Sequence, residues 1–296
     1  MTVRYTSKWA AAMTTALLLA ACGGGGNTDQ VKATADTLST ATDGAGLVVV
    51  GNKLFSIPSP VQTALLIREL GLPYNNSLPL STDSLARFTT KEKQALAMGI
   101  CGADLAYVTI HKDGQRSLKT LKAIEQLSGQ LNLSNAFDKD LMEGFKKNIN
   151  NQDSLLRFTG KAFRAADMYL KNDQRNDVSA GVLAGGWIEG LYLTLGSTGE
   201  KVDPKIAGRI AEQRHTLDNL IALLKQNNGS SALVDSLQDL ATAYEAVKTE
   251  YTFVQPTLDA VNKTTYINSV SKAEVPSEAL QTIIRKVRAI RSSIIA

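Results

Sequence analysis

The chain has 296 residues, with 32 Lys and Arg against 28 Asp and Glu, two histidines and two cysteines. That length buries a substantial core, as one large domain or two small ones. Two histidines exclude a histidine-rich metal centre, two cysteines exclude a disulfide framework, and the near balance of charge gives no case for nucleic-acid binding.

Arg4 and Lys8 precede an apolar run from Ala10 to Ala21, and Leu19-Ala-Ala-Cys22 closes it. The run is too short for a spanning helix, which needs about 20 apolar residues, and it reads as a cleaved export signal over residues 1–21. The closing residues resemble a bacterial lipobox, which implies cleavage before Cys22 and lipid on that cysteine, an anchor firmer than a single acyl chain. The other reading is an ordinary signal in which Cys22 is incidental. Cleavage leaves 275 residues and takes Arg4 and Lys8 with it, so the formal charge falls from +4 to +2. Residues 22–46 open on four glycines and continue in Thr, Ala and Asp, the composition of a flexible tether.

A folded body begins near residue 47. Gly46–Val50 and Lys53–Ile57 are short apolar runs around Gly51-Asn52, expected to lie extended on helices. Ser59-Pro-Val-Gln62 has the form of a capping box and starts a helix that Gly71 and Pro73 stop. Thr89-Thr-Lys-Glu92 is a second such box, opening a helix with Leu96, Gly99, Ala103, Ala106 and Ile110 at spacings of three and four. Further helices are predicted over about 117–130, from Ser134 to about Asn148, and from Asp153 to beyond Leu170. Asp177 is the expected cap of a sixth helix, which ends at Gly196-Ser-Thr-Gly199.

Residues 200–296 form a different pattern. A helix from Asp203-Pro204 turns at Asn227–Ser230 into a returning helix in which Leu233, Leu237, Leu240, Tyr244, Val247, Tyr251 and Val254 alternate by four and three, a heptad seam. A proline- and threonine-rich connection, 255–276, leads to a last helix with Leu280, Ile283, Val287, Ile290 and Ile294 on one face. Its Arg285, Lys286, Arg288 and Arg291 suit the C-terminal half of a helix. The fold class that follows is all-α: a multi-helix bundle of about nine helices. A helical core over 47–199 carries a C-terminal antiparallel hairpin plus terminal helix, a three-helix region over 200–296 packed on that core.

Two stretches hold the chemistry. Gly99-Ile-Cys-Gly-Ala-Asp-Leu-Ala-Tyr107 and Gly181-Val-Leu-Ala-Gly-Gly-Trp-Ile-Glu-Gly-Leu-Tyr192 each place an acid three positions before a tyrosine, on a glycine-bearing apolar helix. Glycine costs about 1 kcal/mol relative to alanine inside a helix, so these glycines predict a close approach of another backbone. Asp104 and Glu189 are candidates for acid–base work or for holding a cation, if the two helices bring them together. The opposing reading is that each is spent on a neighbouring segment, Glu189 on an arginine or either acid on an amide of the Ser56–Ser59 turn. Tyr107, Trp187 and Tyr192 are candidate ligand-lining residues or plain core. Cys101 reads as a small buried hydrophobe.

Glu212-Gln-Arg-His215 is the one Glu-x-x-His motif, where a di-iron bundle needs two. No metal site and no cofactor are therefore expected, and no nucleophile or phosphate-loop motif is present.

The order Phe55-Ser-Ile-Pro-Ser-Pro-Val-Gln62, Gly99–Tyr107, Asp153-Ser-Leu155 and Gly185-Gly-Trp-Ile-Glu-Gly-Leu-Tyr192 resembles a family of helical lipoproteins of Bacteroidota that has no characterised activity. The resemblance covers residues 47 to 195 and the C-terminal helices in outline. It implies a helical envelope protein and no particular reaction. The tether lacks the run of acids that marks surface export in such lipoproteins, so the expected location is the periplasmic face of the outer membrane. The expected partners are the membrane, through lipid on Cys22, and an envelope protein or small ligand. A non-catalytic binding module is the favoured function, with a metal-dependent or acid–base enzyme using Asp104 and Glu189 as the alternative.

Overall fold

A computed structural model describes residues 46–50, 53–57, 60–136, 139–148, 151–198, 204–259, 264–266 and 270–296. The signal, the tether and Cys22 lie outside the described residues, as do the predicted cap Ser59 and the side chains of Phe137 and Leu141. All described residues belong to one unit spanning 40–296.

The fold is all-α, with nine α-helices among the described residues: α1 Pro60–Glu69, α2 Lys91–Ile110, α3 Gly114–Gln130, α4 Lys139–Lys147, α5 Gln152–Asn172, α6 Asn176–Ser197, α7 Pro204–Gln226, α8 Ser231–Ala243 and α9 Ser277–Ile295. Short antiparallel strand pairs accompany them. Strand β1 (Gly46–Val50) pairs with β2 (Lys53–Ile57), β3 (Lys248–Thr252) with β6 (Val270–Glu274), and β4 (Thr257–Asp259) with β5 (Thr264–Tyr266).

Helices α2 and α6 form the centre. Every residue from Ala95 to Ile110 is buried, and α6 is buried almost throughout. A helix that is apolar all round must be covered all round. By length and composition α6 would suffice to cross a membrane, but α1, α2, α5, α7 and α9 all pack against it. The two central helices touch backbone to backbone. A Cβ on Gly99 would overlap the carbonyl oxygen of Val182, and one on Gly185 would overlap that of Leu96. The glycines thus permit the close approach that their cost predicts.

Local polar ties fix where the helices stop and start. The Gln152 amide donates to the carbonyls of Thr109 and Ile110, at 3.2 and 2.7 Å, satisfying the end of α2. Lys112 turns the chain with a φ of 62°, and Asp113 then caps α3 by accepting from the Arg116 N–H at 3.0 Å. Ser179 of α6 donates to Asp167 of α5 at 2.8 Å.

Several expectations change. The cap of α2 is Thr90, whose hydroxyl accepts from the Lys93 N–H at 3.2 Å, in place of a box from Thr89. Glu92 is occupied elsewhere, accepting from the Ser230 N–H at the start of α8 at 2.8 Å. Asp177 lies within the first turn of α6, where its charge suits the helix dipole, while Arg175 holds the cap position.

The returning helix is shorter than the heptad seam. Leu233, Leu237, Leu240, Tyr244 and Val247 are buried, but α8 ends at Ala243 and a 3₁₀ turn, Tyr244–Ala246, leads into β3. Residues 248–254 read Lys-Thr-Glu-Tyr-Thr-Phe-Val, a β-branched and aromatic run that suits a strand. Its register sets Lys248 opposite Glu274 and Glu250 opposite Lys272, so unlike charges face each other across the pair. The predicted connection 255–276 therefore contains three strands. Strands β1 and β2, in a stretch expected to be merely extended, pair with each other and pack on α7.

Candidate functional site

The Leu72–Ser81 loop lies over one end of the central helices and is fastened to them by side chains. Asp104 Oδ2 accepts the Leu80 N–H at 2.9 Å. One turn along α2, the Tyr107 hydroxyl accepts the Asn75 N–H at 2.9 Å and shares a 3.0 Å hydrogen bond with Ser197 Oγ of α6. Arg116 of α3 donates to the carbonyls of Pro79, at 3.1 Å, and Asn76. Both members of the Asp104–Tyr107 pair are thus spent on amides of one loop.

The matching pair on α6 holds a cation. Arg291 of α9 donates from Nε to Glu189 Oε2 at 3.0 Å and from Nη2 to Oε1 at 3.1 Å, a bidentate contact. Its guanidinium carbon lies 4.5 Å from the centre of the Tyr192 ring. Arg291 Nη2 also donates to the Leu78 carbonyl at 3.2 Å, so the loop is held from α2, α3 and α9. Relative exposure is 1% for Asp104, 0% for Glu189 and 8% for Arg291. The charges are taken out of water, which is tolerable only because they are paired and hydrogen-bonded.

Asp104 and Glu189 lie close enough for each carboxyl to shift the other's titration. Burial, and then the charge of Glu189, push the Asp104 carboxyl well above its usual range. Burial also raises Glu189, against the pull of Arg291. Asp104 Oδ1 is buried and receives no donor. A proton on Asp104, favoured by burial and by the charge of Glu189, would give that oxygen a role in donating to Glu189, and Arg291 opposes the rise of Glu189. The site is a buried row of three, Asp104, Glu189 and Arg291, in which the guanidinium pairs with Glu189 and burial favours a proton on Asp104.

The remaining candidates separate from this chain. Trp187 donates from Nε1 to Gln213 of α7 at 2.9 Å and so ties α6 to α7. Cys101 is fully buried, and burial followed by the neighbouring acids pushes its thiol up. His111 packs against Tyr74 and Tyr107, with ring centres at 4.9 and 4.7 Å, and burial lowers its pKa. Tyr74 donates to Asp113 at 2.7 Å, and burial with that bond pushes its pKa up to about 12. Glu212 pairs with Arg209, and among the described residues no group of three or more His, Cys, Asp or Glu side chains is placed to hold a metal. An apolar cavity between α2, α3, α4 and α5, lined by Leu105, Ile124, Met142, Phe158 and Phe163 among others, has a volume of about 20 Å³, room for a water-sized molecule.

Arg291 is the site residue that sequence reasoning did not single out, counting it among the four cations in the C-terminal half of the last helix. Its signal was there: Ile283, Val287 and Arg291 recur at intervals of four, which puts the arginine on the buried stripe. Comparison of the chain with protein-family models, with curated proteins and with solved structures finds no match.

Proposed function

We propose that this chain is a non-catalytic binding module of the bacterial envelope, held by lipid on Cys22 at the periplasmic face of the outer membrane and carried on a tether over residues 22–46. The observation that carries the non-catalytic half is the closure of the acid pair. The two oxygens of Glu189 accept from Arg291, Asp104 Oδ2 accepts from the Leu80 N–H, and both acids are shut off from solvent beneath the Leu72–Ser81 loop that these bonds fasten. An acid–base residue must come within about 3 Å of the proton it moves, and here the groups within that distance belong to the fold. The anchoring half rests on the lipobox-like Leu19-Ala-Ala-Cys22 and on the resemblance to Bacteroidota lipoproteins.

The test is native mass spectrometry of the full chain, made with its own leader and purified from a Gram-negative envelope without chelators. The expected mass is that of a chain beginning at an acylated Cys22 with nothing further bound. A reproducible additional small-molecule mass that disappears in Asp104→Asn would replace this reading with a ligand-binding or acid–base site at the pair. A chain that begins elsewhere, with no acyl mass, would remove the anchor.

A further inference from the structure

Among the described residues, six large hydrophobic side chains are exposed, and four of them fall between Tyr251 and Leu258. Tyr251, Phe253 and Leu258 are 64%, 65% and 72% exposed, and Val254 is 39% exposed. The other two, Leu118 on α3 and Met168 on α5, are isolated on helix surfaces, which is ordinary. The four fall within eight successive residues, Tyr251 at the end of β3, Phe253 and Val254 in the link that follows and Leu258 in β4, and such a concentration of exposed apolar side chains marks a contact surface.

Charge narrows what that surface touches. Residues 251–258 read Tyr-Thr-Phe-Val-Gln-Pro-Thr-Leu and carry no charge. The charges at the root of the ribbon, Lys248 with Glu274 and Glu250 with Lys272, are set opposite one another by the strand register. An uncharged segment bearing a tyrosine, a phenylalanine and a leucine matches the chemistry of the bilayer interface, where aromatic rings with a polar edge collect. It offers no basic excess that would demand anionic lipid.

The location agrees. Strand β6 of the ribbon and the β1–β2 hairpin both pack on α7. The hairpin begins at Gly46, where the tether from Cys22 ends. The helix that roots the ribbon is therefore also the helix against which the anchored chain enters the fold. We propose that the Tyr251–Leu258 segment is a membrane contact that seats Tyr251, Phe253 and Leu258 in the headgroup layer of the bilayer holding the Cys22 lipid. The proposal rests on the anchored reading and adds a second, protein-made contact to it.

The experiment uses the full chain with its own leader, reconstituted in vesicles of phosphatidylcholine after intact-mass analysis of the lipid on Cys22. Gln255→Cys, beside the apolar residues, and Met168→Cys, on α5, are each labelled with an environment-sensitive nitrobenzoxadiazole dye, the buried Cys101 staying unlabelled. Spin-labelled phosphatidylcholine is expected to quench the dye at position 255 at least twofold more than the dye at 168. Adding Phe253→Ser and Leu258→Ser, at exposed positions where the melting temperature should not move, is expected to abolish that difference. Equal quenching at 255 and 168 overturns the proposal and leaves the anchor standing. So does a dye at 255 that is shielded in native envelope and open in protein-free vesicles, because the surface then belongs to a protein partner. A mass without acyl chains instead removes the anchor. Flotation of that chain with the same vesicles then decides the ribbon alone, a bound fraction lowered about tenfold by Phe253→Ser supporting it and an unchanged fraction overturning it.

Discussion

Arg291 and Glu189, 102 positions apart in the chain, meet through two hydrogen bonds of 3.0 and 3.1 Å inside the fold. Their removal should not be symmetrical with that of the adjacent acid. Glu189→Gln leaves a buried guanidinium without its counter-charge and is expected to destabilise the fold by about 3–5 kcal/mol. Asp104→Asn presents an amide oxygen to the Leu80 N–H and an NH₂ to Glu189, reproducing the protonated acid. Its cost at pH 5 is expected to stay below about 1 kcal/mol. Urea unfolding of the two variants separates them, and equal losses would contradict the assignment of the shared proton to Asp104.

The same assignment fixes a pH dependence. Burial and the charge of Glu189 raise Asp104 in the folded state, so the folded chain holds a proton that the unfolded chain releases above its ordinary carboxylate value of about 3.9. The unfolded state then binds fewer protons than the folded one, and this group's contribution to stability falls as pH rises. It is fully present below about pH 4 and declines by up to about 1.4 kcal/mol per pH unit until the folded group itself ionises. Asp104→Asn removes the dependence. The variant should therefore gain on the parent between pH 5 and pH 8, read as a widening gap in urea midpoints.

Glycine substitutions should divide by position and not by helix propensity. Gly99→Ala and Gly185→Ala each drive a methyl group into a backbone carbonyl across the α2–α6 contact, and are expected to cost about 3 kcal/mol or more. Gly208→Ala, in α7, meets nothing within 4 Å. There the helix preference acts alone, and a gain of up to about 1 kcal/mol is expected. Thermal melts of the three variants are sufficient.

Cys101 should behave as an inert hydrophobe. It has no exposed surface, and burial and two neighbouring acids hold its thiol in the protonated form. Iodoacetamide at pH 8 is expected to leave it unmodified in the native chain and to label it fully in urea. Rapid native labelling would show that the α2–α6 centre opens.

The helical centre was legible because its signals are local. Glycines at recurring positions, an acid three residues before a tyrosine, and apolar spacing of three and four each follow from a single helix, and they locate α2 and α6. What joins them was less legible. The binding of Leu80 by Asp104 involves a backbone amide of a loop with no sequence signature, and a turn near Ser56 was an equally good candidate. Arg291 looked like one cation among four on an amphipathic helix, although its interval from Val287 put it inside. At the end of α8, seven positions fitted a heptad while the β-branched and aromatic composition of 248–254 favoured a strand. The strand prevailed because β6 supplies a partner in register, and partners distant in sequence do not register in a local pattern.

The bidentate Glu189–Arg291 contact also bears on when this protein can finish folding. A chain made from its N-terminus exposes Glu189 about 100 residues before its counter-ion exists, an interval of roughly 5–20 s at ~5–20 residues per second. Until then α2 and α6 can meet only by enclosing an uncompensated acid or by protonating it. Closing the centre is thus costly for a partly made chain and is relieved once α9 has been delivered.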